Sequence, residues 1–367
     1  MKVLLICESL KIGGIERLTL DQAYELADRQ IPIDILTLGN FSIDESPSFQ
    51  KNELSTINDK KIRIINLTGS RVKQLAKLRK HIEKNNYERI ISHSLRGSVM
   101  AWICRIQIEN GFTLITTLHQ LSSLSAPKQR LKRYFYSLFT DKLYIFSVAA
   151  MNDWNYNSKN LFKYLLKGQK KLEVLRNGVY IPRILDTQII MNNSTKKPNR
   201  LIYIGRLTAW KGLDVFLNIA KFEQLEDYDI LLVIPSSPEL YLSALETKLS
   251  SRITYVVGKS VHQIKFNKGD VHLYPASYGK NAKFTEGVSI NVLEMACLGI
   301  PSLISERGGE TWPELINLGT IKEVNWHNPV QVTEAIKDID CVKAALNVDK
   351  CRELIDISHN VKKLLEN

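Results

Sequence analysis

The sequence predicts an α/β protein with two consecutive domains, each built on a doubly wound parallel sheet. Short apolar runs rich in β-branched residues alternate with longer segments whose apolar residues recur every three or four positions. A polar stretch, residues 187–200, interrupts this alternation, which then restarts. The 367 residues are enough for two such domains. We expect domains at 1–180 and 181–354, with a C-terminal helix near 355–367 that packs back onto the first domain.

The first domain contains seven predicted strands, each a short apolar run with β-branched residues. They are KVLLICE (2–8), IDILTL (33–38), KIRIINL (61–67), RIISHS (89–94), TLITTLH (113–119), KLYIFS (142–147) and LEVLRN (172–177). Helical periodicity is found between them, at 15–29, 71–85 and 126–139. Because strands and helices alternate, the sheet is expected to be parallel.

The second domain contains five predicted strands of the same kind. They are RLIYIGRL (200–207), DILLVIP (229–235), ITYVVG (253–258), VHLYPA (271–276) and IPSLIS (300–305). Ligands of open α/β sheets bind beyond the carboxyl ends of the strands. The loops that follow strands are therefore the places where site residues are expected.

The composition favours a protein that stays in the cytoplasm. The hydrophobic fraction is 44% and the charged fraction 24%, which are typical of globular proteins. No apolar run approaches the roughly 18 to 20 residues that span a bilayer, and Glu8 interrupts the first run before it could form a signal-peptide core. The five cysteines are scattered without C-x-x-C spacing, so neither a disulfide framework nor a zinc site is indicated.

The positive charge is concentrated in the first half of the chain. Residues 1–180 carry 28 Lys and Arg against 16 Asp and Glu, whereas residues 181–367 carry 22 of each. The segment 126–139 mixes aromatic residues with four basic ones, Lys128, Arg130, Lys132 and Arg133. These are candidates for contact with an anionic membrane surface. The alternative is a solvated helix whose aromatic residues face the core. No nucleic-acid motif is recognisable, so nucleic acid is not an expected partner.

Two strand-end loops contain residues suited to anions. Gly13 and Gly14 lie between the first strand and a helix, where glycines let backbone N–H groups approach an anion. The loop does not match the dinucleotide or P-loop motifs. Arg206 ends a strand and Lys211 begins a helix five residues later, so both cations can reach a diphosphate. Purely structural turns remain the alternative in both places.

His119 closes a predicted strand, and a histidine there can hydrogen-bond a substrate hydroxyl or a developing charge. A lone histidine is also compatible with a structural role.

Two glutamates, Glu286 and Glu294, stand at either end of a helix start in FTEGVSINVLEMACLGIP (284–301). In a continuous helix they would differ by about 80° in azimuth and about 12 Å in rise. This spacing fits two ends of an elongated ligand better than one metal ion. Carboxylates accept hydrogen bonds from sugar hydroxyls, and the helix N-terminus attracts phosphate. The arrangement therefore favours a nucleoside diphosphate sugar.

With these motifs, the chain resembles the retaining glycosyltransferases of glycosyltransferase family 4. The resemblance rests on GGIER (13–17), TTLHQ (116–120), VLRNGV (174–179), IGRLTAWKG (204–212) and EGVSINVLEMACLGIPSLIS (286–305). It implies the GT-B architecture, in which two Rossmann-like domains face each other across a cleft. The segments 277–285 and 305–316 depart from the family pattern, which leaves the identity of the donor sugar open.

The resemblance also implies roles for individual residues. Arg206 and Lys211 would bind the donor diphosphate, Glu294 the ribose, and Glu286 the donor sugar. His119 and Glu286 would lie at the reacting sugar, with Gly14 near the phosphate or acceptor. The backbone amides that would help to hold the donor belong to Gly287, Val288, Ser289 and Ile290. No metal or other cofactor is expected.

The reaction implied is transfer of a hexose or N-acetylhexosamine from the nucleoside diphosphate sugar to a hydroxyl, with retention. A lipid-linked glycan acceptor at the inner face of a bacterial membrane would suit the basic first half, as in lipopolysaccharide (including O-antigen), capsule or exopolysaccharide synthesis. The alternatives are a nucleotide-sugar epimerase of the same fold and a non-catalytic nucleotide-sugar-binding protein. Either Lys211→Ala or Glu294→Ala is expected to abolish transfer while leaving the fold intact.

Overall fold

The chain divides into two compact units, Met1–Tyr180 with Ile357–Asn367, and Ile181–Asp356. The computed structural model describes residues 1–10, 13–39, 56–108, 111–119, 139–148, 151, 172–185, 187, 189–190, 198–208, 211–234, 251–259, 261–276 and 288–366.

The first unit contains a seven-stranded parallel sheet. Its strands are β1 (Val3–Cys7), β2 (Ile33–Thr37), β3 (Arg63–Asn66), β4 (Arg89–Ser92), β5 (Thr113–Leu118), β6 (Lys142–Ile145) and β7 (Leu172–Val174). They lie in the order β3-β2-β1-β4-β5-β6-β7. All seven correspond to predicted strands, and the predicted parallel arrangement is confirmed.

The helices of the first unit begin and end at recognisable residues. Within the described residues and before the C-terminal helix, they are α1 (Gly14–Asp28), α2 (Arg71–Asn85) and α3 (Leu95–Ile106). The side chain of Ser70 accepts a hydrogen bond from the amide of Lys73 at the start of α2, and Asn86 ends that helix with φ +48°. Leu78 and Ile82 of α2 pack with Cys104 of α3 in the core.

The C-terminal helix is part of the first unit. We number it α11 (Ile357–Leu365), and it packs against α1. Gln22 donates to the side chain of Asn360 at 2.9 Å, between the two helices. At the far end, Arg89 donates to the carbonyl of Leu364 at 2.8 Å. A guanidinium placed there satisfies a carbonyl that lacks a partner within the helix and complements the negative end of the helix dipole.

The second unit contains a six-stranded parallel sheet and a two-stranded one. Its strands are β8 (Ile189–Ile190), β9 (Arg200–Ile204), β10 (Asp229–Ile234), β11 (Ile253–Val257), β12 (Phe266–Asn267), β13 (Asp270–Tyr274), β14 (Ser302–Ser305) and β15 (Ile321–Val324). The six-stranded order is β11-β10-β9-β13-β14-β15, and β12 pairs with β8. The five predicted strands are confirmed. The edge strand β15 was not predicted, because only its two end residues are buried.

The helices of the second unit pack against its six-stranded sheet and against one another. They are α4 (Ile181–Leu185), α5 (Leu213–Ala220), α6 (Ile290–Cys297), α7 (Pro313–Asn317), α8 (Pro329–Lys337), α9 (Cys341–Leu346) and α10 (Val348–Ile355). Phe216 of α5 and Trp326 belong to one buried core cluster with β9, β10 and β13. All five cysteines of the chain are buried and free, as small core residues would be.

Both sheets have the strand order of a doubly wound fold, and the order reverses once in each. The reversal lies between β1 and β4 in the first sheet and between β9 and β13 in the second. Ligands of such folds bind at this switch point, beyond the carboxyl ends of the strands. The residues that follow β1, β4, β9 and β13 are therefore in position to form sites.

Candidate functional site

The switch point of the second sheet holds Lys211. Its ammonium group donates a hydrogen bond to the phenol of Tyr274, the last residue of β13. The same group lies 4.9 Å from the centroid of the Tyr274 ring. Tyr274 thus fixes Lys211 at the carboxyl end of the sheet.

The loop from β9 to α5 is held in shape by backbone contacts. The amide of Thr208 donates to the carbonyl of Arg206 at 2.8 Å, and the amide of Lys211 donates to the carbonyl of Thr208 at 2.9 Å. Gly212 has φ +73°, and a Cβ there would lie 2.4 Å from the carbonyl oxygen of Pro275. Only glycine combines this conformation with this close approach. The loop therefore places Lys211 at the end of β13, whereas Arg206 is exposed near the end of β9.

Helix α6 begins beside the same loop. Ser289 is its N-cap residue and accepts a hydrogen bond from the amide of Val292 at 3.5 Å. Asn291 donates from its side chain to the carbonyl of Ile204, the last residue of β9, at 3.1 Å. Val288 and Ile290 are buried. The predicted donor-binding residues of this segment are thus brought to the end of β9, with the positive end of the helix dipole next to the Arg206 loop.

Glu294 lies in α6 as part of a buried ion pair. Its carboxylate accepts a hydrogen bond from Arg183 of α4 at 2.8 Å. The two side chains are only 4% and 7% exposed. Arg183 was not among the predicted site residues and stands in the apolar segment YIPRIL (180–185). A basic residue in such a segment signals a buried partner, although it does not say which one.

Several predicted residues are outside the described part of the chain. They are Glu286 and Gly287 of the donor site, and Lys128, Arg130, Lys132 and Arg133 of the membrane-surface segment.

The first unit contributes Gly14 at the N-terminus of α1. Gly13 is the N-cap residue and Gly14 is exposed. Among the described residues, none has an atom within 4 Å of a Cβ built at Gly14. The space beside Gly14 is therefore open at the first helical residue, where amides lack intrahelical partners and can bind an anion.

His119 follows β5 and contacts a second histidine. Its Nε2 lies 2.9 Å from Thr117 Oγ1 and 3.0 Å from Nδ1 of His93. The ring also stacks on Phe146 with centroids 5.9 Å apart and an interplanar angle of 12°. Burial lowers the pKa of His119 to about 4, and burial together with the neighbouring His119 lowers the pKa of His93 well below its ordinary value. Both rings are therefore neutral at pH 7.

The sequence analysis missed His93. This residue follows β4, one of the two strands at the switch point of the first sheet. Its position at the end of RIISH is the signal that could have identified it.

The buried histidines predict an acid-sensitive fold. Burial also lowers the pKa of His272 to about 3. A histidine in the unfolded chain has a pKa of about 6.5. Below that pH the unfolded chain therefore binds more protons than the folded chain, and the free energy of unfolding decreases as the pH is lowered. For His119 and His272 this loss extends from about 6.5 down to about 4 and about 3. Each histidine contributes on the order of 1.4 kcal/mol per pH unit.

We expect the urea midpoint to fall steadily between about pH 6.5 and 5, and His272→Asn to reduce that slope. The exposed His327→Gln is the matched control and should keep the wild-type slope. A midpoint independent of pH over this interval would contradict the burial of neutral histidines.

Among the described residues, no group of three or more His, Cys, Asp or Glu side chains could hold a metal ion. Independence from metal stays a prediction. Likewise, none of the helices in the described part is long and apolar enough to cross a membrane.

Comparison with known proteins connects this fold to glycosyltransferases. Residues 186–338 match the family model "Glycosyl transferases group 1". No curated protein matches the chain significantly by sequence.

Three solved structures illustrate the similarity of fold. HepE of Anabaena in complex with UDP has a TM-score of 0.69 at 14% identity, covering 99% of this chain and 98% of its own. Sucrose-phosphate synthase of Thermosynechococcus elongatus has a TM-score of 0.70 at 15% identity, covering 99% and 97%. The lipopolysaccharide outer core galactosyltransferase WaaB has a TM-score of 0.65 at 15% identity, covering 99% and 97%. The predicted GT-B fold of two parallel-sheet α/β domains is thereby confirmed.

Proposed function

We propose that the protein is a retaining glycosyltransferase. It transfers a hexose or N-acetylhexosamine from a nucleoside diphosphate sugar to a hydroxyl of a lipid-linked glycan, in the synthesis of a bacterial surface polysaccharide. The observation that carries the proposal is the switch point of the second sheet, where Lys211, the Arg206 loop and the start of α6 come together. The family-model match covers this region, and the similar protein HepE has been solved in complex with UDP and in complex with UDP-glucose.

The chemistry follows from the charges in this region. The bond from the anomeric carbon to the donor phosphate breaks, a bond from that carbon to the acceptor oxygen forms, and the proton of the acceptor hydroxyl passes to the departing diphosphate. Negative charge then accumulates on the departing diphosphate, and stabilising it is the main task of the site. Arg206, Lys211 and the amides at the N-terminus of α6 supply fixed positive charge and hydrogen-bond donors for it. No metal ion is needed for this part of the proposal.

Ribose recognition is assigned to Glu294. A carboxylate oriented by Arg183 accepts hydrogen bonds from ribose hydroxyls along directions fixed by the ion pair. We assign the donor sugar to Glu286 and to the amides of residues 287–290, and the reacting sugar to His119. The first unit binds the acceptor in this proposal, with Gly14 at an anionic part of either substrate.

The proposal is tested by screening the purified protein against UDP-, GDP- and other nucleotide sugars. We expect one nucleotide sugar to raise the melting temperature and to yield free nucleoside diphosphate when an envelope lipid extract is added. Isomerised nucleotide sugar without acceptor would instead show an epimerase. Thermal stabilisation without turnover would show a binding protein, and the absence of both effects would overturn the proposal.

Helix α2 supports the membrane part of the proposal. Lys73, Lys77, Lys80 and Lys84 are all exposed and form a stripe along one side of the helix. Like charges three and four residues apart in a helix destabilise it. An anionic surface relieves this repulsion, and each lysine near such a surface contributes about 1 kcal/mol of binding. We therefore propose peripheral binding at the inner face of the cell membrane, through α2 and the basic residues 128–133.

Replacing the four stripe lysines by Gln is expected to weaken binding to vesicles of phosphatidylcholine and phosphatidylglycerol by about tenfold or more. The variant with Lys128, Arg130, Lys132 and Arg133 replaced should behave in the same way. Co-sedimentation measures the binding, with pure phosphatidylcholine vesicles as the lipid control.

The matched protein control replaces four exposed lysines of the second unit, Lys221, Lys322, Lys337 and Lys350. It should bind as the wild type does. Equal losses in all three variants would indicate net charge alone and would contradict a membrane surface on the first unit.

A further inference from the structure

Three polar atoms at the end of the first sheet lie within hydrogen-bond distance of one another. His93 Nδ1 is 2.7 Å from Thr117 Oγ1, which is 2.9 Å from His119 Nε2, and the two ring nitrogens are 3.0 Å apart. The ring centroids of the histidines are 5.2 Å apart. His93 and Thr117 are buried. This triangle is more than a packing contact, because each short distance needs one donor and one acceptor, and this limits where the protons of the two rings and of the hydroxyl can lie.

The proton positions follow from a count of donors. Each neutral imidazole carries one N–H, and the hydroxyl carries one hydrogen. The Nε2 atom of His93 is buried, and no described residue offers it a hydrogen-bond partner. A proton there would be a buried donor without an acceptor, which is rarer in proteins than an acceptor without a donor. The proton of His93 is therefore assigned to Nδ1, facing Thr117.

With this proton assigned, the hydrogen bonds form a chain from His93 through Thr117 to His119. His93 Nδ1–H donates to Thr117 Oγ1 across the shortest of the three contacts. The hydroxyl of Thr117 can then donate to His119 Nε2, which acts as the acceptor. His119 consequently carries its own proton on Nδ1, and its ring orientation is fixed by the stack on Phe146.

We propose that His93 is a positioning residue that, through Thr117, holds His119 in the tautomer with its proton on Nδ1. This inference rests on the proposed function, in which His119 lies at the reacting sugar. In that tautomer His119 presents an N–H donor to an oxygen of the substrate. Substrate binding then needs no change of tautomer, and the hydrogen bond is available when charge develops.

The first test is made without substrate. Long-range ¹H–¹⁵N spectra of protein labelled at histidine distinguish a protonated from an unprotonated ring nitrogen, and His119→Asn identifies the signals of His119. We expect a protonated Nδ1 and an unprotonated Nε2 in the wild type. His93→Leu and Thr117→Val should each move His119 towards a mixture of tautomers. Wild-type His119 protonated at Nε2, or a spectrum unchanged in both variants, would overturn the proposal.

The second test uses turnover with the nucleotide sugar that the donor screen identifies. His93→Leu should lower kcat by about 10- to 100-fold, the usual cost of removing a group that orients a reacting side chain. The donor KM should change less than kcat, because the hydrogen bond from His119 gains most of its strength as charge develops in the transition state. His93→Asn places an amide N–H near the position of Nδ1 and should restore most of kcat. Unchanged kcat in His93→Leu, or a loss that Asn does not relieve, would contradict the role.

The two tests separate this proposal from the proposed function. A protein that shows the predicted tautomer but transfers no sugar would contradict the function and leave the hydrogen-bond chain in place. A protein that transfers sugar while His119 carries its proton on Nε2 would support the function and contradict the hydrogen-bond chain. Thr117→Val preserves a β-branched residue in β5, so it also covers the case in which His93→Leu does not fold.

Discussion

Lys211→Ala is expected to lower kcat by about 10²- to 10³-fold, the usual cost of removing one group that stabilises developing negative charge. Lys211 is fixed by the hydroxyl and ring of Tyr274 at the switch point of the second sheet. Its loss should leave the melting temperature close to that of the wild type, because the side chain is half-buried at a loop and lies outside the core. Release of nucleoside diphosphate from the donor measures the effect.

The matched control is Lys221→Ala, at the other end of α5. It removes the same charge from the same unit and should keep wild-type turnover. Tyr274→Phe keeps the aromatic ring and removes only the hydrogen bond to Lys211. Its kcat should therefore lie between those of Lys211→Ala and Lys221→Ala. Wild-type turnover in Lys211→Ala would contradict the assignment of the donor diphosphate to this loop.

Arg183→Met is expected to destabilise the second unit by about 3–5 kcal/mol. The reason is that the buried carboxylate of Glu294 would lose its ion pair with Arg183. Both side chains are almost fully buried, so solvent screens the pair very little. Glu294→Ala should lower the free energy of unfolding by a similar amount, because the buried guanidinium of Arg183 would lose the same ion pair. Urea unfolding of each variant measures the change.

The double variant, with Met at both positions, separates charge from packing. Replacing a buried ion pair by apolar side chains of similar size is often neutral or stabilising. We therefore expect the double variant to recover most of the stability but not the ability to bind the donor ribose. Single variants as stable as the wild type would contradict a buried pair.

This second prediction changes what the sequence analysis led us to expect. Lys211→Ala should leave the fold intact, as predicted. For Glu294→Ala, the buried pair with Arg183 means that lost turnover can reflect lost stability as well as a lost ligand contact. Donor affinity of the double variant is therefore the sharper test of ribose binding.

The strands could be predicted from the sequence because their residues are buried on both faces. All five residues of β1, β2 and β13 are buried, and β1 is apolar throughout, whereas β2 includes Asp34 and β13 includes Asp270 and His272. Strand β15 shows the limit of this signal. It lies at an edge, where Lys322 is exposed and Glu323 is half-buried, so its pattern is broken by charge.

The partners within the candidate site could not be predicted, because they are brought together by the fold rather than by spacing. Arg183 and Glu294 are 111 positions apart, and Lys211 and Tyr274 are 63 apart. The cations and Glu294 were identifiable by their place near strand and helix ends. His93 also follows a predicted strand, but its contact with His119 depends on the pairing of β4 with β5, which the sequence does not show.

The most direct test of the account follows the sugar itself. The protein is incubated with the donor found in the screen, labelled in its sugar, and with the envelope lipid extract. Label in the lipid product and free nucleoside diphosphate are then measured together, and NMR gives the anomeric configuration of the product. We expect the labelled lipid product and the free nucleoside diphosphate to form in equal amounts, and the transferred sugar to keep the anomeric configuration that it had in the donor. Labelled donor that returns unchanged or isomerised, with no label in the lipid, would contradict sugar transfer.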